Sequence, residues 1–176
     1  MIKGIDLTKE DRGLLATTAS MVGHAILIAN RDVPRRVRKK AKALKEAYSS
    51  AAKRFASNTL VQEAVVEAER ASGEEVSFRS LRKGREEYLD KTLQACRKVS
   101  QILAEKASPV EGEEFKQWLL AIGEAVGESV ASGELLGIGL ERYSEEEIDT
   151  LKAVAEALGI KGYRAPKART IQVGRA

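Results

Sequence analysis

Phe115, Trp118, Leu119, Ile122, Val126 and Val130 recur at three- and four-residue spacing, and Gly133 follows as a stop. Apolar residues at that period line one side of an α-helix; they match neither face of a strand. The pattern returns at Val37, Ala41, Leu44, Tyr48, Ala51 and Phe55, which alternate four and three. It returns again at Leu60, Val61, Ala64, Val65 and Ala68, and at Leu81, Tyr88, Leu89, Thr92, Cys96, Val99 and Leu103. With three prolines and abundant Ala, Glu, Lys, Arg and Leu, the chain is all-α: one compact bundle of about six helices.

The punctuation supports this. Thr8 and Asp11 form a capping box opening a first helix that runs to about Asn30, with Leu14, Leu15, Thr18, Val22, Ala25, Ile26 and Ala29 inward. Asp32 and Pro34 suit the start of the second helix, and Ser57 or Asn58 that of the third, which Gly73 closes. A fourth helix is expected from Ser77 to Ala107, ended by Ser108-Pro109, with Gly84 as a kink or break. Ser144 and Glu145–Glu147 cap the sixth, and Gly159-Ile160 suits a Schellman ending.

Gly123, Gly127 and Ala131 form a small-residue ridge on the fifth helix, matched by Ala19 and Gly23 on the first. The two helices are expected to cross through these ridges at the centre of the bundle. Met21–Ile26 and Ala125–Val130 align without a gap, which leaves open a bundle built from two related halves. Between Gly133 and Tyr143, Leu135, Leu136, Ile138 and Leu140 are expected to fold back onto the core.

At 176 residues the chain suits one domain, with a helical domain over 1–160 and a basic, mobile tail over 161–176. Its net charge of +4 hides a segregation: residues 31–54 hold ten Lys/Arg and two acids, whereas 105–160 hold thirteen acids and four bases. Such asymmetry implies either an anionic partner or internal pairing of the basic and acidic parts. Gly13–Asn30 is uncharged and long enough for a membrane span, but Thr17, Thr18, Ser20 and His24 make it a buried helix instead, so no span is expected. A lone cysteine and the lack of a secretory signal predict a cytoplasmic protein.

The chemistry is sparse. One cysteine, Cys96, and one histidine, His24, exclude an internal disulfide, the usual Cys/His zinc sites and a di-iron bundle. Gly137-Ile138-Gly139 lacks the third glycine of a dinucleotide loop, and the acids from Glu141 to Asp149 do not follow the calcium-hand pattern. Cys96 falls on a core face and His24 has only Ser20 as a polar neighbour on its helix, so no nucleophile–base set emerges; an enzyme is disfavoured and no cofactor is expected. The positive signal is the second helix. Arg35, Arg36, Arg38, Lys39, Lys40, Lys42 and Lys45 form an anion- or partner-binding face. Glu124, Glu128, Glu141 and Glu145 are the candidate metal ligands.

The segment Glu113–Ile160, in which a helix, a Gly-rich apolar loop and a Ser-Glu-capped helix follow one another, is similar to the tellurite-resistance TerB-like helical proteins. That resemblance covers about a quarter of the chain. It implies a cytoplasmic bundle of related halves, a stress-response role and divalent-metal binding. No family set of ligand acids is matched here, so it assigns no site residue.

Three functions follow from these readings. The leading one is a non-catalytic interaction or stress-response module that presents the basic helix to another protein. Nucleic-acid binding through residues 34–56 and the tail is the alternative, and a metal-responsive module is the third; a homo-oligomer is compatible with each.

Overall fold

The computed structural model describes residues 6–29, 34–71, 77–129 and 143–167. Seven α-helices lie within them: α1 (Lys9–Leu27), α2 (Pro34–Ala52), α3 (Thr59–Ala71), α4 (Phe78–Lys83), α5 (Arg85–Lys106), α6 (Pro109–Glu128) and α7 (Glu145–Ala157). The described residues contain no strand. One helix more than expected arises because the run after Ser77 breaks at Gly84, whose φ and ψ of −102° and 31° leave helical geometry.

The caps follow the sequence closely. Thr8 with Asp11, Ser108 with Glu111 and Ser144 with Glu147 each form a reciprocal capping box, satisfying amide groups that the first turn leaves without partners. Ser108 and Pro109, expected as the end of one helix, also start the next. Asn58 rather than Ser57 caps α3, its Oδ1 accepting from the Val61 amide at 3.2 Å. Its amide nitrogen donates to the Glu111 carbonyl and to Glu114 Oε2, tying α3 to α6. At the end of α7, Gly159 takes a φ of 71° while the Ile160 amide reaches back to the Ala155 carbonyl at 3.0 Å, completing the Schellman ending.

Helix α6 is the centre of the bundle. It packs chiefly on α1 and α2 and also meets α3, α5 and α7. Phe115, Trp118, Leu119, Ile122 and Val126 are fully buried on it. Trp118 sets its ring edge-on to Phe115 and donates its indole N–H to the Tyr48 carbonyl of α2 at 3.1 Å, so the largest buried side chain keeps its polar atom satisfied.

The two small-residue ridges do not simply face each other. A Cβ on Gly123 would lie 2.9 Å from Leu151 of α7 and 3.2 Å from Ile26 of α1, so this glycine does admit α1 to α6. Gly23, by contrast, makes room for Leu44 of α2, and Gly127 for the Tyr143 ring. Small residues open gaps, and a side chain from a neighbouring element fills each one.

The start of the tail lies against the bundle. Tyr163 and Ala165 pack on the core, and the Tyr163 hydroxyl donates to Glu124 Oε1 at 2.7 Å. Val130, Ala131, the apolar loop around Leu135–Leu140, Glu141 and the tail beyond Lys167 lie outside the described residues. No described helix is long and apolar enough to cross a membrane.

Candidate anion-binding face

Helix α2 buries Val37, Leu44, Ala47, Tyr48, Ala51 and Ala52 against α6, α3 and α1. That fixes the rotation of the helix and so sorts its seven candidate cations. Arg38, Lys42 and Lys45 are exposed, four and three residues apart, and form one outward stripe. Arg36 and Lys39 are half-buried, and the side chain of Arg35 lies outside the described residues.

Lys40 departs from the sequence reading. It is 2% exposed, and its Nζ is paired with Glu147 Oε1, itself 2% exposed. A lysine there belongs to the interior face, not to the basic surface. Position 40 lies three residues after Val37 and four before Leu44, the spacing of the core stripe. That signal was in the sequence, but Ala41 offered an easier apolar choice next to it. Ala41 turns out half-buried.

Glu147 serves two elements at once. Its Oε2 accepts from the Ser144 amide at 3.0 Å as part of the cap, while Oε1 meets Lys40. The pair therefore links the first turn of α7 to the middle of α2. It joins the basic second helix to the acidic C-terminal part, whereas Arg38, Lys39, Lys42 and Lys45 pair with no described residue.

Sequence reasoning missed the cations of the neighbouring short helix. Arg79, Arg82, Lys83 and Arg85 fall within seven residues with no acid between them, yet the balanced charge of the longer surrounding stretch concealed them. Arg79 and Lys83 are exposed. Together with Arg38, Arg82, Val37 and the half-buried Phe78 they line a groove of about 540 Å³ between α2 and α4. A second groove, of about 640 Å³, begins at the same Arg82 and Lys83 and passes Gly84, Arg85, Glu86 and Glu87. Arg85 spends one N–H on the Ala29 carbonyl, and Glu87 is paired with Lys91.

The described metal candidates form no group. Glu124 is half-buried and accepts the Tyr163 hydroxyl; Glu128 and Glu145 are exposed; Glu141 lies outside the described residues. Among the described residues no three His, Cys, Asp or Glu side chains are grouped to hold a metal ion.

The two chemically reactive residues are interior. His24 is 9% exposed, and burial pulls its pKa from the usual 6.5 down to about 4. Its Nδ1 stands 3.3 Å from Ser20 Oγ and its ring 6.0 Å from Phe78. A general base works best with a pKa near the working pH and a carboxylate to orient it; burial moves His24 away from the first, and its described polar contact is a hydroxyl, that of Ser20. The Cys96 thiol is buried and pushed up to about 12, far from the thiolate a nucleophile needs.

The fold and this face define an all-helical bundle with an exposed basic stripe that opens into a basic groove. Comparison with protein-family models, with curated proteins and with solved structures yields no match.

Proposed function

We propose that the protein is a non-catalytic interaction module whose α2 face receives a polyanionic partner. The observation that carries this reading is the outward stripe of Arg38, Lys42 and Lys45, none of which pairs with a described residue. Like charges one turn apart repel one another and disfavour the helix by a few tenths of a kcal/mol each. The alternative use of these cations, neutralising the acidic part of the same chain, engages Lys40 instead.

The test is a titration against labelled polyanions at two salt concentrations, with wild type and Lys42→Glu/Lys45→Glu. Both positions are exposed, so the variant keeps the core intact. Binding at low salt that the charge reversal weakens at least tenfold supports the module. Failure to bind any polyanion at low salt overturns it.

A further inference from the structure

The groove between α2 and α4 contains more than positive charge. Among the described residues its lining includes three guanidinium groups, Arg38, Arg79 and Arg82, the ammonium of Lys83, and no carboxylate. Guanidinium forks match phosphate oxygens bidentately, and no acid among the described lining residues competes with a phosphate. The groove also contains an aromatic ring, Phe78, half-buried against His24. An aromatic surface beside a row of cations is the pair of features by which proteins hold unpaired bases and their backbone together. An acidic peptide uses the cations alone.

We propose that this groove seats single-stranded nucleic acid, with phosphates on Arg38, Arg79 and Lys83 and one base against Phe78. The inference deepens the reading of α2 as a polyanion-binding face and rests on it. The two surfaces are continuous, because Arg38 is both the first cation of the outward stripe and a wall of the groove. From Arg38 to Lys45 the stripe extends about 10 Å at the helical rise of about 1.5 Å per residue, so the track exceeds a single phosphate and favours a strand over a free nucleotide. A volume of about 540 Å³ accommodates one nucleotide unit at the ring end. Single strands are favoured over a duplex because the ring can stack only on a base whose face is open.

The experiment measures fluorescence anisotropy of the full chain with a labelled oligothymidylate, a hairpin duplex and a polyglutamate peptide, each at two salt concentrations. The variants are Arg79→Glu/Lys83→Glu, both exposed, and Phe78→Leu, with circular dichroism confirming the fold. The oligothymidylate is expected to bind more tightly than the duplex. Reversing the two charges weakens it at least tenfold and flattens the salt dependence. Phe78→Leu weakens it about 5- to 100-fold with the salt slope unchanged, as loss of one stacked base requires. Equal affinity for the duplex with a neutral Phe78→Leu overturns the proposal. If Phe78→Leu unfolds, indifference to the Arg79/Lys83 reversal overturns it alone. Polyglutamate binding that depends on Lys42 and Lys45, without oligothymidylate binding, overturns this inference and leaves the interaction module standing with an acidic protein partner. No binding of any polyanion at low salt removes both.

Discussion

Lys40 on α2 and Glu147 on α7, 107 residues apart in the chain, are paired in the interior with each side chain 2% exposed. Two charges removed from water together cost desolvation that their attraction offsets only while both are present. The pair holds the basic helix and the cap of the last helix in a single arrangement, and it suggests that removing one partner is worse than removing both.

Lys40→Met is therefore expected to destabilise the fold by about 3–5 kcal/mol, since the buried Glu147 carboxylate loses the Lys40 ammonium. Lys40→Met/Glu147→Leu should recover most of that loss. Urea unfolding of the two single variants and the double variant measures the coupling directly. A loss under about 1 kcal/mol in the Lys40 variant would mean that the pair is open to water in solution.

Acid should weaken the fold through His24. Its folded pKa, lowered by burial to about 4, lies below the 6.5 of an exposed imidazole. Between those values the unfolded chain binds the proton and the folded chain does not, so stability falls as pH drops from 6.5 to 4 and levels off below. The shift corresponds to on the order of 3 kcal/mol in total. Thermal unfolding followed across that window, compared with His24→Gln, isolates the contribution; a variant with the same pH slope as wild type would remove it.

Cys96 should be silent in the native protein. Its thiol is buried and its pKa is raised to about 12 by that burial. Reaction with a disulfide reagent at neutral pH is expected to proceed only through opening of the bundle and to accelerate with denaturant in step with unfolding. Immediate stoichiometric reaction without denaturant would contradict the packing of α5.

Gly127→Ala sets two effects against each other. Alanine gains about 1 kcal/mol of helix propensity over glycine. Its Cβ, however, would lie 2.6 Å from Cε1 of Tyr143, a ring held by its hydroxyl bond to the Glu124 carbonyl at 3.0 Å. A rigid ring cannot yield as a flexible side chain does, and overpacking costs about 1–3 kcal/mol. A net loss of roughly 1 kcal/mol in chemical denaturation is expected, with Tyr143→Leu in the same background relieving it.

The sequence alone determined what depends on residues close together in the chain. Helical period, the capping boxes at Thr8 and Ser144 and the Gly159-Ile160 ending were all legible, because hydrogen bonds within one turn and a left-handed glycine are local events. The exposed part of the basic face was legible for the same reason: Arg38, Lys42 and Lys45 share a stripe by helical spacing alone. What only the tertiary structure decided was pairing across distance. Nothing near Lys40 announces Glu147, and a lysine on a core stripe looks like one more surface cation until a carboxylate from α7 is brought against it. Gly23 could have received any neighbour, and packing delivered Leu44. The groove needed Arg38 of α2 beside Arg79 and Lys83 of α4, residues whose approach is set by how two helices are laid against the rest of the bundle. Local bonds are encoded where they form; contacts between remote elements depend on how the whole chain fills its interior at close packing.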